Sequence, residues 1–224
     1  MRFKLTYQGE LKSSGRDPES GQRDRMAGHK RAIRKLFHGQ LKQLWNVNKF
    51  LNECTVDAAT VSNAAIPAMQ VGGPGYYYGT RHIPNRVRLS EHVADLYREN
   101  NYRFVPLVRQ DLSLLCSLDI LFLRRDFPLG VISAGDLDNR VKTLIDALRK
   151  PHSSNELQGN ETPGPGEDPF FCLLEDDDLV TSLSVHTDML LDPPNGDAGQ
   201  SEVKLVISVE IKPDHVTMFN LSFA

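Results

Sequence analysis

Apolar residues fall along the chain in two periods, and the change of period marks where one kind of element gives way to another. MRFKLTYQGE opens with Phe3, Leu5 and Tyr7 at every second position, the spacing of a half-buried strand. The polar stretch LKSSGRDPESGQRDRMAG then predicts a mobile loop. In HKRAIRKLFHGQLKQLW the period lengthens. Ile33, Leu36, Phe37, Leu41, Leu44 and Trp45 share one side of a helix, with Lys30, Arg31, Arg34, Lys35 and Lys42 elsewhere around it. Residues 51–80 are weakly patterned, VGGPGYYYGT reads as a turn-rich loop, and RVRLSEHVADLYREN predicts a second helix. In LSLLCSLDILFLR, residues 112–124, every even position from Leu112 to Phe122 is apolar, and Leu115, Leu121 and Leu123 lend apolar character to the other face. That predicts a central strand covered on both sides.

The helical period returns in GDLDNRVKTLIDALRK, residues 135–150, where Val141, Leu144, Ile145 and Leu148 form one stripe. Asp138 or Asn139 is the expected N-cap and Pro151 the stop. Residues 151–169, rich in proline and glycine and without an apolar period, predict a flexible insertion. A strand is expected around Leu179 to Val185, a turn at DPPNGDAG, and another strand where Val203, Leu205, Ile207, Val209 and Ile211 alternate; HVTMFNLSF is expected to add a last one. The predicted fold class is α/β (α+β), a mixed sheet with helices packed on it. One domain over 1–224 is expected, with a basic helical elaboration in 1–100 and the insertion at 151–169.

A composition of 40% hydrophobic and 25% charged residues is that of a globular chain, and no run approaches the 18 apolar residues of a membrane-spanning helix. The three cysteines lie far apart without a CxxC pair, which argues against a disulfide framework or a zinc site and makes the cytoplasm the expected compartment. Net charge is −3, but residues 1–50 hold 12 Lys/Arg against 4 Asp/Glu, and residues 151–200 hold 11 Asp/Glu and no Lys or Arg. A basic surface for a polyanion beside an acidic region is one reading of this division; a solvated basic helix and an acidic loop is the other.

The start of the 135–150 helix carries more acid than a cap needs. Asp136 and Asp138 precede Asn139, Lys142 lies one turn beyond Asp138 on the same face, and a second acidic block, Glu175-Asp176-Asp177-Asp178, leads into the next strand. If the two blocks met, carboxylates 4 Å apart would repel by roughly 4 kcal/mol at a surface-like dielectric. A hard divalent cation, Mg²⁺ or Mn²⁺, would offset that and could act on a phosphodiester, with Lys142 facing the developing charge. By spacing alone, a capping Asp138, an exposed Lys142–Asp146 pair and a solvated EDDD turn explain the same residues. The seven histidines show no metal spacing.

Taken together, GDLDNRVKTLIDALRK and LLEDDDLV resemble the RusA family of Holliday junction resolvases: a D-x-D-N-x-x-K helix ending in D-A-L, then a D-D-x-x-V turn into a strand. Asp136, Asp138, Asn139 and Lys142 match the first block, Asp146-Ala147-Leu148 its end, and Asp176, Asp177 and Val180 the second. The resemblance implies a homodimeric nuclease dependent on Mg²⁺ that cuts branched DNA. Asp136, Asp138 and Asp177 would be the metal-binding acids, Asp176 an auxiliary ligand, Lys142 the catalytic cation and Asn139 a positioning residue. Arg31, Arg34, Lys35, Arg124 and Arg125 are the expected contacts to the DNA backbone. The family's basic loop before D-x-D is here nearly uncharged after Arg124-Arg125, and the insertion lengthens the gap between the acid blocks. A nucleic-acid-binding protein without catalysis is the alternative, and a structural protein whose acidic turn binds a cation loosely is a third.

Overall fold

The computed structural model describes residues 1–13, 26–57, 76–78, 86–125, 136–157, 162–191, 202–217 and 219–224. The expected loop at 14–25, most of VGGPGYYYGT and the DPPNGDAG turn lie outside the described residues.

Four strands make the main sheet: β1 (Arg2–Glu10), β7 (Leu114–Arg124), β9 (Val180–Met189) and β10 (Glu202–Pro213), in the order β1–β10–β7–β9. β10 runs antiparallel to both β1 and β7, and β9 joins β7 in parallel. The alternation read from the sequence sets the register. Phe3 faces Val209, which faces Leu118; Leu5 faces Ile207 and then Ile120; Tyr7 faces Leu205 and then Phe122. These rows build one buried face, because a period of two sends every second side chain to the same side.

β7 is central, as expected, but among the described residues it is covered on one side only. Its even positions are buried, whereas Leu115, Ser117 and Leu123 are half-buried and Asp119 and Leu121 are exposed. The open face carries rows of small and charged side chains, such as Arg2–Glu210–Ser117–Ser182 and Lys4–Ser208–Asp119–Ser184.

Helix α1 (Ala27–Val47) buries Ile33, Phe37, Leu41 and Trp45. Leu36, expected in the stripe, is 53% exposed, since it lies about 100° around the helix from Phe37. Asn48 then caps the short α2 (Lys49–Glu53), its side chain accepting the Leu51 N–H at 3.1 Å. A small sheet has the order β3–β2–β4, from β2 (Cys54–Asp57), β3 (Tyr76–Tyr78) and β4 (Arg86–Arg88). The three tyrosines are therefore strand, where a loop was expected. The second predicted helix is α3 (Leu89–Leu96), and β5 (Arg98–Glu99) follows it.

A further sheet runs β5–β6–β8, with β6 (Tyr102–Val108) parallel to β8 (Phe170–Leu174). Helix α4 (Asp136–Leu148) buries Val141, Leu144 and Leu148 of its predicted stripe; Ile145 is half-buried, and Ala147 is buried beside them. One hydrophobic cluster joins β1, α1, α3, β6, β7, α4, β8 and β10, so residues 1–100 contribute to the common core.

Two further expectations are corrected. The described part of the 151–169 insertion is built into the fold: Pro151 and Leu157 are buried, Glu167 pairs with Lys35 at 2.7 Å, and the Gly166 carbonyl accepts from Lys42 at 2.8 Å. Docking on α1 supplies the order that composition alone does not. The expected last strand is a 3-10 turn at Leu221–Phe223. β10 already has β1 on one side and β7 on the other, so it has no free edge for another strand; Phe223 is buried and Asn220 donates to the Leu112 carbonyl at 2.9 Å.

Candidate metal centre

A single point of register builds the site. As α4 ends, Arg149 forms a parallel bridge with Leu174, the last residue of β8, and the Lys150 N–H donates to the Leu174 carbonyl at 2.9 Å. Two segments distant in sequence, 149–152 and 174–177, thereby leave the core side by side. The second is fixed further. The Glu175 N–H donates to the Val108 carbonyl at 2.9 Å, and the Glu175 carboxylate accepts the Gln110 N–H at 2.9 Å. Asp176 then caps a 3-10 turn at Asp177–Leu179, its Oδ1 accepting the Asp177 N–H at 2.7 Å.

This arrangement brings His152 Nε2 to 3.3 Å from Asp176 Oδ1. One ligand atom each from His152, Asp176 and Asp177 lie within 4.8 Å of one another. His152 and Asp177 are exposed and Asp176 is half-buried, so the group faces solvent.

The two carboxyls titrate as a pair. Partial burial works to raise Asp176, but hydrogen bonds from the Asp177 side chain and backbone N–H, with the nearby charges of His152 and Arg149, outweigh it and hold Asp176 below the usual carboxylate range. Asp177 moves the other way, raised first by its side-chain hydrogen bond to Asp176 and then by burial. Two carboxylates so close repel when both are ionised, a repulsion that a cation could offset. Arg149 stands beside them, held by Glu156 through two bonds of 3.2 Å.

A divalent cation fits this donor set: two carboxylates and an imidazole converge where water can supply the remaining ligands. The imidazole distinguishes the set from the all-oxygen cluster read from the sequence.

The expected site residues are placed as follows. Asp176 and Asp177 are together. Asp136 is the first residue of α4 and its side chain lies outside the described residues. Asp138 is exposed in the first turn, so neither it nor Asn139 is the N-cap. Among the described residues the 4.8 Å group does not include Asp138; eleven residues of helix separate it from the Arg149 bridge, about 16 Å along the axis. Lys142 is exposed one turn further along α4, while Asn139 offers its backbone carbonyl to the Thr143 hydroxyl at 3.0 Å. Asp146 is no exposed partner of Lys142: it is buried and pairs with Lys30 at 3.0 Å.

The expected DNA-contacting cations are largely engaged within the chain. Arg34 is 3% exposed and donates to the carbonyls of Asp146 at 3.0 Å and Arg149 at 3.2 Å, clamping the end of α4, which corrects its assignment to a phosphate. Arg31 donates to the Tyr102 hydroxyl at 3.3 Å, Lys35 pairs with Glu167, and Arg125 pairs with Glu202 at 2.7 Å. Arg124 ends β7, half-buried. His152 was missed by spacing, because the bridge that brings it to Asp176 joins segments on either side of β8 and the insertion. Comparison with protein-family models, with curated proteins and with solved structures returned no match to this chain.

Proposed function

We propose that this chain is a divalent-metal-dependent, structure-selective DNA endonuclease of RusA type, hydrolysing phosphodiesters in Holliday junctions or related branched DNA as a homodimer. The observation that carries the reading is the convergence of Asp176, Asp177 and His152 at the turn where the second acid block was expected. Asp177 and Asp176 would hold the ion; Asp138, about 16 Å along α4 from the Arg149 bridge, lies outside this group. A bound divalent ion would supply Lewis-acid charge to a phosphodiester and lower the pKa of an attacking water.

The chain's own groups do the rest. Lys142, exposed on α4, presents an ammonium to a phosphate oxygen. With Arg34 internal and Arg31, Lys35 and Arg125 engaged, Lys142 and Lys150, on α4 and at its exit, are the better candidates for backbone contact.

Cleavage of a labelled four-way junction, followed on a gel in EDTA and then in Mg²⁺ or Mn²⁺ with linear duplex as control, tests this directly. Asp177→Asn lowers the cleavage rate on the order of a hundredfold or more, while binding in EDTA persists. Salt-dependent binding with no turnover in either metal would leave only the binding-protein reading. Cleavage by Asp177→Asn at the parental rate would remove this turn from the reaction.

A further inference from the structure

We propose that His152 is a metal ligand of this centre, and that the mixed imidazole–carboxylate set selects Mn²⁺ over Mg²⁺. The inference rests on the reading of Asp176 and Asp177 as metal-binding acids, and adds a residue that the aspartate motifs do not contain. Position is the first argument. The Arg149–Leu174 bridge fixes the backbone immediately before His152, and buried Pro151 anchors it. An octahedral ion about 2.1 Å from its donors holds neighbouring donors roughly 3 Å apart, and His152 Nε2 already stands 3.3 Å from Asp176 Oδ1.

Contrast with the buried histidines is the second argument. His38 lies in the core with its ring nitrogens bonded to the backbone of Gly166 and Phe171, and His92 is 2% exposed; neither can meet an ion arriving from solvent. The His152 side chain is 40% exposed and aims Nε2 at a carboxylate. Donor chemistry is the third. Mg²⁺ is bound almost wholly by oxygen and gives up its waters reluctantly, whereas imidazole suits first-row transition ions.

An ion pair between imidazolium and Asp176 would give the same distance without any metal, so the test must separate the two. Mn²⁺ is titrated into the full-length protein without DNA and followed by the electron paramagnetic resonance signal of free Mn²⁺, with Mg²⁺ as competitor. The parent binds Mn²⁺ at least about tenfold more tightly than Mg²⁺. His152→Ala loses on the order of tenfold in Mn²⁺ affinity while Mg²⁺ affinity stays within about twofold. His152→Asp, which replaces nitrogen by oxygen, brings the two affinities together. Far-UV circular dichroism shows that the variants are folded.

Unchanged Mn²⁺ affinity in His152→Ala overturns the proposal and leaves an ion pair; loss of both metals from the parent overturns the centre itself. Junction cleavage in the same samples reports on the nuclease reading separately. His152-dependent Mn²⁺ binding without cleavage keeps this inference and rejects that function, and cleavage with unchanged metal preference in His152→Ala does the reverse.

Discussion

His38 carries its proton on Nε2. Its Nδ1 accepts the Phe171 N–H at 2.9 Å, and Nε2 faces the Gly166 carbonyl at 3.1 Å, a contact that only the Nε2–H tautomer satisfies. The ring also stacks on Phe170 at 4.4 Å between centroids, so one side chain ties α1 to β8 and to the inserted segment. Burial pushes His38 below the ordinary histidine range; Lys42 adds to the shift, while the Gly166 and Phe171 backbone bonds and Glu167 oppose it. His92 moves in the same direction, chiefly through burial and then Arg109. Below about pH 6.5 the unfolded chain binds protons that the folded chain resists, so stability is present above that pH and declines as pH falls toward the folded-state values. Unfolding free energy should therefore fall between pH 7 and 5.5, by up to about 1.4 kcal/mol per pH unit for each such histidine, and melting temperatures with it. His38→Gln should melt lower than the parent at neutral pH and show a shallower pH slope; an unchanged slope would remove His38 from the account.

Among the elements, those whose stripes face a single core were readable in advance. α4, β1, β7 and β10 show their buried faces in the spacing of Val141 to Leu148, Phe3 to Tyr7, Leu112 to Phe122 and Val203 to Ile211. β8 was not readable. FFCLL is buried at every position, so it has no alternation, and it follows immediately on the segment taken for a loop. The same holds for the site. Asp176 and Asp177 could be named because their block abuts a strand, whereas His152 depends on a bridge between residues 25 positions apart. α4 leads into the Arg149 bridge that builds the site, and Leu144 is its most enclosed apolar side chain, with 0% exposure. Leu144→Ala should cost about 3 kcal/mol in a denaturant titration, with cleavage per folded molecule little changed. A loss below about 1 kcal/mol would mean that α4 is less firmly packed than its burial implies.

Across the whole molecule, part of the charge asymmetry of the sequence is met internally. The basic helix and the acidic second half meet each other: Lys35 with Glu167, Lys30 with Asp146, and Arg34 beside Glu156 at 3.8 Å. Opposite charges far apart in the chain were legible as a division, but the sequence held no information about whether they would face a polyanion or one another. Their pairing holds α1 against α4 and the inserted segment, and reduces the positive surface on which a nucleic acid could settle.

β9 is the last strand of the main sheet, so one row of its amides and carbonyls has no neighbour there among the described residues. Leu183 is 45% exposed on that rim, and Met189 and Leu191 extend it at 36% and 82%. An apolar border with unmet backbone groups invites extended peptide from any source, including misfolded copies of the chain, to zip alongside. Leu183→Lys should suppress the resulting turbidity during prolonged incubation at high concentration without lowering the melting temperature. Equal turbidity in that variant would locate the adhesive border elsewhere.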